Sequence, residues 1–361
     1  MKERSAFGQK TLSGNYFFDE SIFAQEKKKL FATHWLYVGR AQQIAQTGQY
    51  FLQTIGAESL IFVRDQDGEV RGFYNVCRHR GTQICTETSG SRLSFQCPYH
   101  AWTYGLDGRL LGAPTMQDVQ NFDPAEYGLH PVETAVWEGF IFVNLDPNPI
   151  PFAKAFAPLM GKFSAWQLDS LTIGHQIIYD VAANWKIIFH NYSECYHCPT
   201  IHPRLNELTP FRNSYNDLEE GFILGGPMQM SLADGSMTMS GRICAPILQE
   251  SKGLVHYYTI MPTIFLSIFP DYVVTHQLRP ISPTHTQIIC EWLFAPNAQA
   301  DPNFNPQDAI DFWNMTNQQD WHVCELTQKG AQSKAYLPGP YSELESMLAA
   351  FDRAYLHVMN S

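Results

Sequence analysis

The 361-residue sequence has no apolar run long enough to span a bilayer; the strongest, residues 140–145, is only the length of a strand. Residues 1–10 are polar and contain no hydrophobic core of a secretory signal. Basic residues are too few for a nucleic-acid or anionic-membrane surface: 24 Lys and Arg stand against 35 Asp and Glu, a formal net charge of −11. There is no internal repeat, no low-complexity stretch and no Gly-x-Gly-x-x-Gly fingerprint for a dinucleotide. Cysteine is sparse at eight, and Cys85, Cys244, Cys290 and Cys324 are scattered, as expected of free buried thiols and not of a disulfide framework. These absences argue against a membrane, secreted or nucleic-acid-binding protein and lead us to expect a soluble, cytoplasmic chain. What remains is an ordinary globular composition, 45% hydrophobic, with length for two domains or for one large domain carrying an insertion.

The pattern along the chain changes character once. Asp19 is placed to cap a helix from residue 20 to about 33, with Phe23, Leu30 and Phe31 on its apolar side. Strand signals follow. Residues 59–64 and 70–76 flank Asp67-Gly68 as a hairpin, and a second hairpin is expected over 101–111, turning at Asp107-Gly108. Residues 140–145 close this β-rich stretch, which Pro147, Pro149 and Pro151 punctuate. Beyond it we expect helix and loop over 151–166, a strand at 177–182 and a helix over 185–198. An antiparallel sheet follows over 221–293, with strands at 260–268, 272–278 and 286–293, and then two helices, 306–329 and 341–358. The fold class is α+β. A small all-β domain, 36–150, is inserted in a larger domain of antiparallel sheet and helices made from 1–35 and 151–361.

Within the small domain, Cys77-Arg78-His79-Arg80-Gly81 and Cys97-Pro98-Tyr99-His100 form two short loops, each offering one thiolate and one imidazole. Two Cys on one iron and two His on the other are the ligands of a Rieske [2Fe–2S] centre. The same four residues could instead hold a structural zinc, although zinc ribbons more often use Cys-x-x-Cys pairs. Gly81, two residues after His79, suits a tight ligand loop.

The second informative stretch runs from Asn184-Trp185-Lys186 to Glu194-Cys195-Tyr196-His197-Cys198-Pro199, and on to His202-Pro203. His197 and His202 are candidate metal ligands. On an ideal helix they lie about 140° apart, so both face one metal only if the helix distorts or ends between them. Pro199 supplies a reason for that break. A mononuclear non-haem iron site takes two His and one carboxylate. Asp320 is the candidate third ligand, because it shares an apolar helix face with Trp313, Thr316 and Cys324 and a buried Asp needs a partner. Taken alone, His-x4-His is as compatible with core or surface histidines. Cys195 and Cys198 could join the histidines in a zinc site, and Asp320 could pair with a Lys or Arg.

Together, Cys-Arg-His-Arg-Gly, Cys-Pro-Tyr-His-Ala-Trp-Thr-Tyr, Asn-Trp-Lys, Glu-Cys-Tyr-His-Cys-x3-His-Pro and the late Gln-Asp-Trp resemble the α subunit of a Rieske non-haem iron oxygenase over nearly the whole chain. The lone Cys85, and Pro98-Tyr99 in the second loop, resemble the disulfide-free Rieske centres of soluble oxygenases and ferredoxins. The resemblance implies that His197, His202 and Asp320 bind a mononuclear Fe(II). It also implies that Glu194 bridges His197 to the cluster ligand His100 of a neighbouring subunit in a homotrimer. Electrons would come from NAD(P)H through a separate flavin/iron–sulfur reductase, and dioxygen and a small molecule would be the substrates. Glu at the bridging position is similar to the branch acting on glycine betaine, choline, carnitine and stachydrine, whereas ring dioxygenases commonly have Asp. A quaternary ammonium is held by aromatic faces. Candidates for contact are Tyr192, Phe211, Tyr257 and Phe265, together with His190, which stands where an acidic residue is expected. The alternatives are an aromatic ring hydroxylase or O-demethylase and, in a different class, a non-enzymatic Rieske electron carrier.

Overall fold

The computed structural model describes residues 9–249, 253–302 and 304–361. Residues 1–8, part of the polar N-terminal stretch, and 250–252, within the expected sheet region, lie outside the described residues. The chain forms two compact units. One is Phe31–Phe152, and the other combines residues up to Leu30 with Ala153–Ser361.

The smaller unit is almost wholly β. Its strands are β1 (Leu36–Arg40), β2 (Gln49–Ile55), β3 (Glu58–Arg64), β4 (Val70–Tyr74), β5 (Ser89–Ser91), β6 (Phe95–Gln96), β7 (Thr103–Tyr104), β8 (Leu110–Gly112), β9 (Pro131–Trp137) and β10 (Phe140–Asn144). Seven of them run in the order β1-β10-β9-β4-β3-β2-β5, and β6-β7-β8 form a small second sheet. Both expected hairpins are present: Arg64 faces Val70 across the Asp67-Gly68 turn, and Tyr104 faces Leu110 across Asp107-Gly108. Tyr50, Ile61, Phe73, Phe95, Trp102 and Tyr104 pack with Cys77 and Cys97 in one core, so the two ligand loops rest on rigid strands.

The larger unit is built on six antiparallel strands, β11 (Thr172–Val181), β12 (Ile223–Gln229), β13 (Leu254–Ile260), β14 (Ile264–Ile268), β15 (Val273–Ser282) and β16 (His285–Phe294), in the order β11-β16-β15-β14-β13-β12. The expected strand over 260–268 is in fact a corner. Ile260 ends β13, Ile264 begins β14, and the two face each other across a tight connection through Met261-Pro262. Pro262 lacks the amide hydrogen a ladder needs, so it sits in the turn. The helix capped by Asp19 runs Glu20–Glu26 and then widens into a π-type turn, Lys27–Phe31.

The helix expected over 185–198 stops at Tyr192. Asn184 caps its start by accepting from the Lys186 amide at 2.9 Å. Its end is set by local side-chain bonding. The Ser193 hydroxyl donates to the Phe189 carbonyl at 2.6 Å, and the Glu194 carboxylate accepts from the Tyr196 and His197 amides, competing with further helical bonds. Pro199 therefore does not break a helix. It lies in the first turn of a new one, Cys198–Ile201, where a missing amide hydrogen costs nothing, and Pro203 opens the next, Pro203–Leu208. The C-terminal helices are Gln307–Ala331 and Ser346–Asn360. Phe189 contacts both Phe265 of β14 and Phe351 of the last helix, which places the helix Trp185–Tyr192 between them.

Candidate active site

In the smaller unit the first ligand loop follows β4 and the second is the connection between β6 and β7. Asn75, fully buried, clamps the first loop by accepting from the amides of Ile84 and Cys85 and donating to the Cys85 carbonyl. Both loops close in the same way. The Gly81 amide donates to the Cys77 carbonyl at 2.9 Å, and the Ala101 amide to the Cys97 carbonyl at 3.1 Å. Gly81 and Ala101 occupy matching left-handed positions, φ +74° and +58°. Both cysteines are buried, and the His79 and His100 rings lie 4.6 Å apart between centroids. His79 stacks on Trp102 at 4.9 Å, and its buried Nδ1 has no partner among the described residues. An unpartnered imidazole nitrogen beside two buried thiols is the donor set a [2Fe–2S] cluster takes. The Tyr104 hydroxyl lies 3.3 Å from Cys77 Sγ and accepts from the Arg78 amide at 3.0 Å, fixing that sulfur. Burial pushes the Cys85 thiol up to about 11, so Cys85 stays protonated at neutral pH and acts as a small core side chain.

In the larger unit His197 and His202 stand at the two ends of the single-turn helix Cys198–Ile201, and their rings are 5.1 Å apart. Asp320, on the long helix, closes the triangle, with Oδ1 at 2.8 Å from His202 Nε2 and 3.4 Å from His197 Nε2. One potential ligand atom from each residue lies within 4.8 Å of the others. The remaining ring nitrogens are held from behind. Nδ1 of His197 meets Glu194 Oε1 at 2.6 Å, and Nδ1 of His202 meets Gln319 Oε1 at 2.7 Å. Those bonds fix each ring so that Nε2 points at the shared centre, as metal-binding histidines require. Two imidazoles and a carboxylate on one side of a pocket fit a mononuclear iron and leave positions for other ligands. The three side chains are also coupled electrostatically. Burial opposes charge on His197, but Asp320 and Glu194 outweigh it and push the imidazole up to about 10. Burial likewise opposes charge on Asp320, and the two imidazoles hold it down to about 2.

A cavity of about 140 Å³ opens on this triangle. Tyr192, Tyr257 and Trp313 line it. Trp313 shares the Asp320 helix face, but nothing in its spacing separates a pocket wall from a core side chain. Phe211 and Phe265 do not line the cavity: Phe211 packs on the core, and Phe265 lies behind Tyr192, stacked on it at 4.2 Å. His190 does not reach the cavity either. Its Nε2 pairs with the buried Asp352 at 2.8 Å, and Tyr341 donates to the same carboxylate, so the imidazole at position 190 is held by the last helix. Gln319 was not anticipated, and its only signal was its place beside Asp320. Cys195 and Cys198 are joined in a disulfide, which removes them as thiolate ligands and with them the zinc alternative for this segment. The other six cysteines are free.

A Rieske-type unit and a two-histidine, one-carboxylate pocket define the class of Rieske non-haem iron oxygenases. Residues 34–123 match the Rieske [2Fe–2S] domain, and residues 168–361 match the ring hydroxylating alpha subunit (catalytic domain). The chain belongs to that α-subunit family, and is therefore an oxidoreductase whose cofactors are a [2Fe–2S] cluster and a mononuclear iron. It is 31% identical to the glycine betaine monooxygenase oxygenase subunit of Chromohalobacter salexigens, over 94% of this chain and 83% of that one. It is 35% identical to the carnitine monooxygenase oxygenase subunit of Escherichia coli K12, over 55% of this chain and 53% of the other. Among solved structures, the quaternary ammonium Rieske monooxygenase CntA with L-carnitine matches with a TM-score of 0.82 at 21% identity, covering 99% of this chain and 97% of that one. Naphthalene 1,2-dioxygenase from Rhodococcus matches with a TM-score of 0.73 at 17% identity, over 97% and 94%. At those identities the structures establish the shared fold. Among the described residues no helix is long and apolar enough to cross a membrane.

Proposed function

We propose that this chain is the terminal oxygenase of a multicomponent monooxygenase that hydroxylates an N-methyl group of a quaternary ammonium compound such as glycine betaine. Cys77, His79, Cys97 and His100 hold the cluster, and His197, His202 and Asp320 hold Fe(II), which activates dioxygen when bound. Electrons come from NAD(P)H through a separate reductase. The methyl carbon gains one oxygen atom of O2, the other leaves as water with two electrons and two protons, and the N-hydroxymethyl product collapses to the demethylated amine and formaldehyde. The observation that carries this reading is the pocket's make-up. Tyr192, Tyr257 and Trp313 line the same cavity as the metal triangle, and among the described residues no Lys or Arg lines it. A permanent cation gains from the ring faces and meets no like charge. The curated relatives named for glycine betaine and carnitine support it.

The test is coupled turnover. Iron-loaded protein with a reductase is expected to consume NAD(P)H and dioxygen and release formaldehyde in equal amounts when given glycine betaine or a related N-methyl compound. Uptake driven by an aromatic acid and by no N-methyl compound would replace this reading with ring hydroxylation or O-demethylation.

Glu194 is the proposed electron bridge in a head-to-tail trimer, joining His197 to His100 of the next subunit. Its contact with His197 supports the role. Glu194→Gln is expected to leave the cluster's visible spectrum intact while slowing single-turnover oxidation of the reduced cluster by at least about 10-fold, since outer-shell partners of metal ligands typically contribute 10–100-fold. Unchanged transfer would show that Glu194 only orients His197.

A further inference from the structure

The β12 edge of the larger sheet carries a strap. Residues 213–218 run beside β12 and are tied to it through the backbone. The Tyr215 amide donates to the Pro227 carbonyl at 3.2 Å, the Asp217 amide to the Gly225 carbonyl at 3.1 Å, and the Gly225 amide to the Leu218 carbonyl at 3.0 Å. Ser214 pairs with Met228 and Leu218 with Gly225, so four steps along the strap match three along β12 and the strap bulges between them. The bulge lies over Gly226. A β-carbon at that position would collide with the Tyr215 carbonyl oxygen and stand 2.8 Å from Asn216 Cα and 3.0 Å from the Asp217 amide nitrogen. All three are backbone atoms, so a side chain at position 226 is accommodated only by moving the strap. Side chains alternate along a strand, and Leu224, Gly226 and Met228, with Tyr257 opposite Gly226, all line the cavity of the metal triangle. The place of the missing side chain is therefore on the cavity side of the sheet, and the strap backbone takes it. Ser214 and Asn216 line the same cavity from the strap. Asp217 anchors the strap: it meets Lys162 Nζ at 2.5 Å and accepts at 3.0 Å from the hydroxyl of Tyr258, which alternation turns to the opposite face.

Resting on the quaternary ammonium reading above, we propose that Gly226 is a specificity-determining residue: its missing side chain lets the strap backbone close on the cavity side of the sheet, so the strap is the wall that limits the pocket to short-chain quaternary ammonium compounds. The wall takes up room that a longer substrate needs, and it stays in place through the bonds to β12 and the Asp217 anchor. A pocket wall that excludes even one methylene separates two substrates by about 10-fold or more.

Calorimetric titration of the metal-loaded protein with glycine betaine and with γ-butyrobetaine, its analogue with a longer chain between nitrogen and carboxylate, tests this without turnover. The wild-type protein is expected to bind glycine betaine at least about 10-fold more tightly. Gly226→Ala forces the strap off the sheet and is expected to move that ratio toward the longer ion by at least about 10-fold. Asp217→Ala releases the strap from Lys162 and Tyr258 without adding an atom to the cavity, and is expected to move the ratio in the same direction. The cluster spectrum and a thermal melt report folding, and if Gly226→Ala does not fold, Asp217→Ala decides. A folded Gly226→Ala protein that weakens both ions alike, or leaves the ratio unmoved, overturns the proposal and leaves the quaternary ammonium reading in place. So does a wild-type protein that binds the longer ion as tightly as glycine betaine. A wild-type protein that binds neither ion brings down that reading and this inference together.

Discussion

Asp320→Ala is expected to empty the mononuclear site and leave the cluster untouched: iron falls from about three to about two atoms per chain, the visible spectrum of the Rieske centre persists, and oxygenase turnover disappears. Asp320 is the sole carboxylate of the triangle, and it is anchored on a different element from the two histidines. Losing one of three protein ligands removes more than the 10–100-fold in metal affinity that outer-shell partners typically contribute. Gln319→Ala provides the graded comparison. It frees only His202 Nδ1, and is expected to weaken iron binding within that 10–100-fold range. The cluster spectrum reports folding of the smaller unit, and a thermal melt reports the larger one. Full retention of the third iron by a folded Asp320→Ala protein would remove Asp320 from the ligand set.

Glu26→Ala is expected to be the most destabilising single change away from the metals. Glu26 and Lys186 are both completely buried and meet at 2.5 Å. The same carboxylate accepts from the Trp185 indole at 2.9 Å and from the Tyr355 hydroxyl at 2.6 Å. One side chain from the first helix thus ties the start of the helix Trp185–Tyr192 to the last helix. Removing it strands a buried ammonium and two donors. Breaking one side of a buried pair costs about 3–5 kcal/mol, roughly 6–20 °C of melting temperature for a unit of this size. The cost carries a pH signature. Burial already pulls Lys186 below the usual lysine range, with Glu26 opposing, and deleting Glu26 lets it fall further. The unfolded chain then binds the extra proton, so the variant's deficit shrinks as pH rises toward the unfolded lysine value. Equal melting of variant and wild type at neutral pH would mean that the pair contributes nothing net. Glu26→Leu with Lys186→Met is expected to recover part of the loss, because an apolar replacement leaves no stranded charge.

The Asn-Trp-Lys segment shows how legible the chain was. As a sequence it was a recognisable string with no stated job. In the structure each residue has one: Asn184 caps the helix, and Trp185 and Lys186 both bind Glu26, about 160 residues earlier in the chain. No local signal in residues 20–26 announces that partnership, because Glu26 occupies an otherwise ordinary helix. The same holds for Asp352, which accounts for His190, and for Trp313 and Met347, which join the cavity from the two C-terminal helices, with Leu344 from the turn just before the last one.

The metal-ligand candidates were legible for the opposite reason. Cys77 and His79, Cys97 and His100, and His197 and His202 each lie within one short loop or turn, so spacing alone carries their geometry. The turns that shape them are local as well: a left-handed glycine at Gly81, and side-chain-to-backbone bonds at Ser193 and Glu194. Where local reasoning erred, as with the helix expected to run on to Cys198, it missed a competition between hydrogen bonds that only coordinates resolve. By itself, then, the sequence determined the ligand loops, the hairpins and the α+β class, because these rest on contacts a few residues apart. The tertiary structure alone decided which buried charges are paired and which aromatic residues line the cavity, because those outcomes depend on side chains brought together from distant parts of the chain by the packing of sheet and helices.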